Sequence, residues 1–227
     1  MANNTLVEKT ADSILKMIQN KPYQVHDKLP TERELCEVTG AGRNTVREAL
    51  KILVSRNIVE IKQGSGCFVS SKMGVSDDPL GFSMIKDRVK LTKDLLQVRE
   101  MIEPGIASLA AQCADKEDVL KLEEVLKQME MLMKQHKDYS SLDTKFHTLI
   151  AKCTHNIVME NLIPVISSGV EVFAKEVEET EFEKTMITHR KIFEAIKDHR
   201  PIDAENEMRY HLLYNLNRYE EETGNKK

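Results

Sequence analysis

Residues 28 to 69 constrain the fold more than any other segment of the chain. Thr31 and Glu34 have the spacing of a capping box, in which each side chain accepts a hydrogen bond from the other residue's backbone N–H at the start of a helix. A helix is therefore predicted to begin at Thr31. It should end at Gly40-Ala41-Gly42, because glycine adopts turn conformations that other residues resist.

A second helix is predicted from Arg43 to about Arg56. Its buried face is defined by apolar residues at helical spacing, namely Val46, Ala49, Leu50 and Leu53. Three polar residues of its first turns lie largely off that face, namely Arg43, Asn44 and Arg47. Two helices joined by a three-residue turn, with arginines at the start of the second, have the geometry that reads base edges in a DNA major groove.

A small β-hairpin is predicted directly after the second helix. Residues 58–63 alternate in polarity, Gly64-Ser65-Gly66 supplies a turn, and Cys67-Phe68-Val69 forms the returning strand. The tip of such a wing would reach a phosphate or a neighbouring groove. The pattern alone leaves an alternative open, which is a surface hairpin beside two helices whose arginines are merely solvated.

The same segment resembles the DNA-binding domain of GntR-type bacterial regulators over nearly all of residues 10 to 69. The shared motifs are Leu-Pro-Thr-Glu-Arg-Glu-Leu, Arg-Asn-Thr-Val-Arg-Glu-Ala-Leu and the Gly-x-Gly wing. Gly42 departs from the pattern, because the family usually has a serine that caps the recognition helix there. The resemblance implies that six residues contact operator DNA, the last two at the adjoining minor groove: Arg33, Arg43, Thr45, Arg47, Gln63 and Gly64.

The distribution of charge agrees with a DNA-reading head joined to a separate body. The net charge of the chain is -4, but residues 1–72 hold 11 Lys and Arg against 8 Asp and Glu, and the remainder holds 22 against 29. A mildly basic head on an acidic body is typical of a DNA reader with a sensing module. Because the excess of basic residues is small, DNA binding should depend on specifically positioned arginines and on dimerisation.

The sequence also indicates where the protein works. It has no apolar run long enough to span a bilayer, and Met-Ala-Asn-Asn-Thr does not begin a signal peptide. We therefore expect a cytoplasmic protein without a membrane partner. The four cysteines are widely spaced and contain no Cys-x-x-Cys pair, so reduced thiols are predicted rather than disulfides.

Three regions follow from these patterns: a winged helix-turn-helix domain at residues 1–72, a linker at 73–80 rich in turn residues, and an effector-binding and dimerisation domain at 81–227. The last region contains no strand pattern. The fold class is therefore mainly α, with the winged helix-turn-helix followed by an all-helical antiparallel bundle. Its predicted helices lie at residues 92–113, 116–137, 140–154, 158–179, 181–198 and 202–222.

A second chemical signal lies within the predicted bundle. Asp143 and His147 are four residues apart and so share one face of a helix, while His189 and His211 lie on two later helices. One carboxylate and three imidazoles could converge on a divalent metal, with zinc the best fit and nickel or manganese as alternatives. The residues alone equally allow histidines scattered over separate helices.

Residues 91 to 219 resemble the all-helical FCD effector domain in the FadR branch of the GntR regulators. The resemblance lies in Val-Arg-x-x-Ile-Glu-Pro from Val98, in the Asp-x-x-x-His pair, and in the later histidine segments. It implies that Asp143, His147, His189 and His211 bind a metal and that Arg99 faces the effector cavity. The subgroup with these ligands binds small carboxylates, whereas the fatty-acyl-CoA branch lacks them.

The combined hypothesis is a homodimeric, metabolite-responsive transcription regulator, by resemblance a repressor, that binds palindromic operator DNA and a small organic acid such as a sugar acid or hydroxy acid. We predict no enzymatic activity. Two alternatives remain open: a metal-dependent hydrolase, for which Glu103 is the only nearby acid or base, and a ligand-free dimerisation bundle.

Overall fold

The chain divides into two units, with the boundary after Pro79. The computed structural model describes residues 5–72, 74–75, 78–135, 137–173 and 182–224. Three residues of the predicted linker lie outside the described residues, namely Met73, Ser76 and Asp77. The end of the predicted helix 158–179 and the first residue of the predicted helix 181–198 also lie outside them.

The first unit is the predicted winged helix-turn-helix. Its elements are α1 (Leu6–Asn20), α2 (Glu32–Thr39), α3 (Arg43–Ser55), β1 (Val59–Lys62) and β2 (Gly66–Val69). The two strands are antiparallel and pair Val59 with Val69 and Lys62 with Gly66. The capping box is formed at α2, where the Thr31 N–H donates to the Glu34 carboxylate over 2.7 Å. Gly40 ends the helix in the left-handed conformation with φ 69°.

Helix α1 was not among the predicted elements. It begins after Thr5, whose backbone N–H donates to the Glu8 carboxylate over 2.7 Å in a second capping box. This is the same Thr-x-x-Glu signal that predicts α2. Ala11 and Ile14 of α1 pack into the same apolar core as the buried face of α3. The helix therefore provides the support on which α3 is held.

The buried core of the first unit positions the DNA-reading elements. All four predicted core residues of α3 are buried, namely Val46, Ala49, Leu50 and Leu53. They pack with Leu35 of α2 and with Val59 and Val69 of the hairpin. The Leu29 N–H donates to the Cys67 carbonyl over 2.9 Å, which fixes the second strand to the segment before α2. The recognition helix and the wing thus share one core.

The second unit is an all-helical bundle, as predicted. It contains α4 (Arg88–Cys113), α5 (Lys116–Lys134), α6 (Ser140–Lys152), α7 (Ile157–Phe173), α8 (Phe182–Lys197) and α9 (Pro201–Gly224), and a 3-10 turn at Phe82–Met84 precedes α4. Helix α4 begins four residues before its predicted start at Thr92. The reason is Asp87, whose carboxylate accepts from the Lys90 N–H over 2.9 Å and caps the helix.

Helices α4 and α9 pack along each other in antiparallel directions. Arg209 contacts Glu100 near the middle of the pair at 3.1 Å, and Lys93 contacts Glu220 near its end at 2.8 Å. Most apolar core residues of the unit form one cluster, while Leu91, Leu95 and Ile166 form a second, smaller cluster. All four cysteines are free thiols. Among the described helices, none is long and apolar enough to cross a membrane.

Candidate functional site

The exposed arginines of α2 and α3 form the candidate DNA-binding face. Arg43 and Arg47 are exposed on α3, and Arg33 is exposed on α2. The Nε of Arg47 lies 2.8 Å from Glu32, and the Nε of Arg33 lies 3.3 Å from Glu37. Exposed ion pairs contribute about 0 to 1 kcal/mol. These guanidinium groups can therefore exchange their carboxylates for a phosphate or a base at little cost.

The wing and the start of α3 account for the other predicted contacts. Gln63 and Gly64 are exposed in the turn between the two strands, where Gly64 has φ 73° and so requires glycine's conformational freedom. Thr45 is half-buried. Gly42 caps α3 without a side-chain hydrogen bond. The departure from the family pattern thus leaves the cap of the recognition helix without a hydroxyl.

The four predicted metal ligands come together in the second unit. Asp143 and His147 extend from α6, His189 from α8 and His211 from α9. One donor atom of each residue lies within 4.8 Å of the donor atoms of the other three. The three histidine side chains are at most 1% exposed. The Phe146 ring packs against His189 at a centroid distance of 4.9 Å and closes one side of the cluster.

Several polar atoms in this cluster lack hydrogen-bond partners. They are Nε2 of His147 and both ring nitrogens of His189. Nε2 of His189 lies 3.2 Å from Oδ1 of Asp143 but without the alignment of a hydrogen bond. Leaving a buried polar group unpaired costs about 1 to 3 kcal/mol. A set of buried nitrogen donors around one carboxylate fits a divalent metal, which would satisfy them together.

Glu103 of α4 fixes the orientation of His147. Its Oε2 lies 2.5 Å from Nδ1 of His147, and its Oε1 accepts from Nε of Arg99 over 2.6 Å. A carboxylate can only accept, so Nδ1 of His147 carries a proton, and Nε2 is the ring nitrogen left to bind a metal. Metal-bound histidines are typically held by a carboxylate in this way. Glu103 therefore acts as a positioning residue.

Thr188 fixes the tautomer of His211 in the same manner. The Thr188 hydroxyl donates its one hydrogen to the Thr185 carbonyl over 2.9 Å and lies 3.0 Å from Nδ1 of His211. It must therefore accept from a protonated Nδ1. Nε2 of His211 then keeps its lone pair and lies 3.2 Å from the Asn215 amide nitrogen. Both contacts thus leave Nε2, rather than Nδ1, as the ring nitrogen that can bind a metal, and at His211 a metal would replace the contact with Asn215.

The electrostatics of the cluster favour the protonation states that bind metal. Burial favours the neutral acid at Asp143, but the contact with His189 and the charge of Arg99 outweigh it, so the pKa of Asp143 lies below its usual range. Burial lowers the pKa of His189, and it lowers the pKa of His211 well below the usual value. These shifts favour an anionic Asp143 and neutral imidazoles at His189 and His211, which is the form in which they bind a metal.

Arg99 lies at the edge of this cluster. It is 3% exposed, and its Nη2 has no hydrogen-bond partner. Burial opposes its charge, but Glu103 and then Asp143 raise the pKa of the guanidinium. Burial also opposes ionisation of Glu103, yet Arg99 and His147 lower its pKa to about 2. One arm of Arg99 is thus held by Glu103 while the other remains available to an anion.

Comparison with known proteins agrees with this organisation. The family described as bacterial regulatory proteins, gntR family, matches residues 6–69, and the FCD domain family matches residues 94–214. A solved structure of Streptococcus agalactiae GntR is 39% identical and superimposes with a TM-score of 0.83, covering 93% of this chain and 99% of that one.

Two relatives are named for the operons they regulate. The Uxu operon regulator of Haemophilus influenzae is 39% identical over 146 residues, which are 62% of this chain and 51% of the relative, so the match spans about half of that protein. The galactonate operon transcriptional repressor of Escherichia coli is 28% identical over 196 residues, covering 83% of this chain and 85% of the relative. Both are named as regulators and neither as an enzyme. The chain belongs to the GntR family of bacterial regulatory proteins, and its helical unit is an FCD domain.

Proposed function

We propose that the protein is a metabolite-responsive transcription regulator of the cytoplasm that represses an operon when no effector is bound. It binds palindromic operator DNA as a homodimer, and its helical unit binds a divalent metal together with a small carboxylate. The observation that carries the proposal is the cluster of one carboxylate and three imidazoles in the helical unit. Several nitrogen atoms of this cluster are buried without hydrogen-bond partners, and the same chain contains a winged helix-turn-helix.

The donor set supports zinc as the bound metal, with nickel or manganese as alternatives. Asp143 and the three histidines are the residues that would hold the ion. A divalent cation at this position would supply net positive charge, since only one of its four protein ligands is an anion. The Arg99 guanidinium adds a second positive charge. An organic anion is the natural complement to both charges.

The chemical class of the effector is a small carboxylic acid. The names of two relatives refer to the Uxu and galactonate operons, and galactonate is itself a sugar acid. The available Nη2 of Arg99 supports a clamp on one carboxylate oxygen. Binding would link α4, α6, α8 and α9 and change the packing of the bundle. If the acid-bound and acid-free states of the protein differ in their affinity for operator DNA, binding of the acid changes transcription.

On the DNA side, Arg43 and Arg47 read base edges in the major groove, with Thr45 beside them. Arg33 anchors the sugar-phosphate backbone. Gln63 and Gly64 of the wing enter the adjoining minor groove. The exposure of the three arginines on α2 and α3 supports this assignment.

The whole proposal is tested by native mass spectrometry followed by an operator titration. Gently purified protein should retain one metal per chain together with an organic acid, and added acid should release the protein from the DNA upstream of its own gene. A chain that binds this DNA but neither metal nor acid would instead be a regulator with a plain dimerisation bundle.

We expect replacement of Arg99 by lysine to weaken acid binding by about 10- to 100-fold, because a charge-assisted hydrogen bond to one carboxylate oxygen is lost. Lysine keeps a positive charge beside Glu103, so the metal content should not change. Calorimetry of the metal-loaded protein with sugar acids measures the affinity. Arg209→Lys is the matched control. Arg209 of α9 pairs with Glu100, which lies next to Arg99 on α4. Equal acid affinity in both variants would refute the clamp.

A further prediction concerns assembly. One recognition helix reads too few base pairs for useful specificity, so two heads must be presented together to a palindromic site. Sedimentation equilibrium at micromolar concentration should therefore show a dimer, and the operator complex should contain two chains. A monomer that binds one chain per site would contradict the prediction.

A further inference from the structure

Two buried hydroxyl groups in the helical unit have no hydrogen-bond partner. They belong to Thr92 on α4 and Ser167 on α7, which are 0% and 1% exposed. Within the described part of the chain, six buried side-chain polar atoms are unpartnered. The other four belong to Arg99, His147 and His189, all of which are part of the candidate metal and effector site. The unpartnered atoms are therefore concentrated in one unit.

Two other helical threonines of this protein make the backbone bond that these hydroxyls lack. Thr10 donates to the Leu6 carbonyl over 2.8 Å, and Thr223 donates to the Tyr219 carbonyl over 2.7 Å. This bond to the carbonyl one turn earlier is available to any serine or threonine in a helix. Thr92 and Ser167 do not make it. Their hydroxyls are thus held away from the local backbone in an otherwise apolar setting.

Helical periodicity places Thr92 on the same face of α4 as Arg99, and a shared apolar cluster relates this part of α4 to Ser167. Thr92 precedes Arg99 by seven residues, which is two turns on the same face of α4. Its neighbours Leu91 and Leu95 pack against Ile166 of α7, the residue next to Ser167. The residues adjacent to both hydroxyls therefore pack together in one small apolar cluster, beside the turns of α4 that precede Arg99.

We infer that Thr92 and Ser167 form a second polar subsite, which binds hydroxyl groups along the chain of the effector. This inference rests on the proposed function, in which the metal and Arg99 hold the carboxylate. Seven residues of helix separate the Arg99 and Thr92 Cα atoms by about 10 Å. A two-carbon acid held at Arg99 cannot cover that distance. A six-carbon chain covers most of it, so the subsite selects a longer, hydroxylated acid.

The subsite suits neutral hydroxyls rather than a second charge. Among the described residues, Arg99 is the only buried lysine or arginine. A dicarboxylic acid would therefore bring a second anion next to Leu91, Leu95 and Ile166 without a cation to balance it. Serine and threonine hydroxyls both donate and accept, which matches the alcohol groups of a polyhydroxy acid. A purely aliphatic acid would leave both hydroxyls unpaired.

The test is calorimetry of the metal-loaded full chain with four acids: D-gluconate, D-galactonate, hexanoate and glycolate. The wild type should bind at least one of the two sugar acids more tightly than hexanoate and glycolate. Thr92→Val and Ser167→Ala should each weaken binding of that sugar acid by about 3- to 10-fold, because each removes one hydrogen bond. Both variants should bind glycolate as the wild type does.

Thr154→Val is the matched control. Thr154 is also buried, but its hydroxyl donates to the Ala151 carbonyl and accepts from the Asn156 N–H over 3.1 Å. This variant should bind all four acids like the wild type and melt at a lower temperature. Thr92→Val without ligand should melt no lower than the wild type, since it removes a hydroxyl that has no partner.

Sugar-acid affinity that is unchanged in both Thr92→Val and Ser167→Ala would overturn the subsite while leaving the proposed function intact. A wild type that binds metal but none of the four acids would overturn the proposed effector class, and the subsite with it. Tighter binding of hexanoate than of either sugar acid would also overturn the subsite.

Discussion

Replacement of Arg43 by alanine should lower the affinity of the protein for its operator by at least about 30-fold. A bidentate arginine contact to guanine contributes about 1 to 3 kcal/mol of discrimination, and a symmetric dimer loses this contact in both half-sites. The exposed position of Arg43 in the first turn of α3 makes it the residue best placed for such a contact. Fluorescence anisotropy with operator and scrambled duplexes measures the loss directly.

A comparison among arginine variants separates sequence-specific contacts to bases from electrostatic attraction to the DNA phosphates. Arg33→Ala should weaken binding to both duplexes alike and lower the salt dependence, because a phosphate contact carries no sequence information. Arg56→Ala is the matched control, since Arg56 is exposed at the opposite end of α3 and its removal changes the net charge equally. If Arg43→Ala and Arg56→Ala have the same effect, Arg43 does not read bases.

Local sequence signals predicted the DNA-binding unit well because its elements begin and end at residues with specific backbone roles. The capping box at Thr31 and the glycines at 40 and 42 define the two helices of the motif. The same reasoning applied to Thr5 and Glu8 would have found α1, because the signal is identical. The start of α1 is therefore encoded in the sequence by the same local signal as the start of α2.

The helical unit was predicted in outline, and the contacts around its polar cluster were not. Spacing places Asp143 and His147 on one face of α6, but it does not say which helices meet that face. The contact between Glu103 and His147 joins residues 44 positions apart, and the contact between Thr188 and His211 joins residues 23 apart. Such pairs depend on how helices pack, which a single sequence does not encode locally.

The buried hydroxyls illustrate the same limit. Thr92 and Ser167 lie inside α4 and α7, where either residue would be expected to bond to its own helix backbone. Only the three-dimensional arrangement reveals that they do not. Arg99 is an intermediate case, because resemblance assigned it to the effector cavity while the structure adds that Glu103 holds one arm and leaves Nη2 available.

Replacement of His189 by alanine should abolish stoichiometric metal binding and the thermal stability that depends on it. A ligand that binds only the folded state at a concentration 1,000 times its Kd stabilises that state by about 4 kcal/mol. For a unit of this size each kcal/mol corresponds to roughly 2 to 4 °C. Chelation should therefore lower the Tm of the wild type by about 8 to 16 °C, and it should leave the Tm of His189→Ala unchanged.

The variant itself distinguishes a metal site from a set of buried histidines. Both ring nitrogens of His189 lack aligned hydrogen-bond partners, so without a metal its removal loses the 3.2 Å contact with Asp143 and leaves a cavity. His155→Asn is the matched control, because His155 contacts Asp118 at 2.8 Å beside Asp115 in an exposed cluster, and asparagine tolerates its positive φ of 52°. Plasma mass spectrometry should find about one metal per chain in the wild type and in His155→Asn, and much less in His189→Ala. Full occupancy in His189→Ala would show that the metal binds without His189 and would refute the proposed site. A wild-type Tm that does not change on chelation would show that the fold is not stabilised by a metal at these four residues.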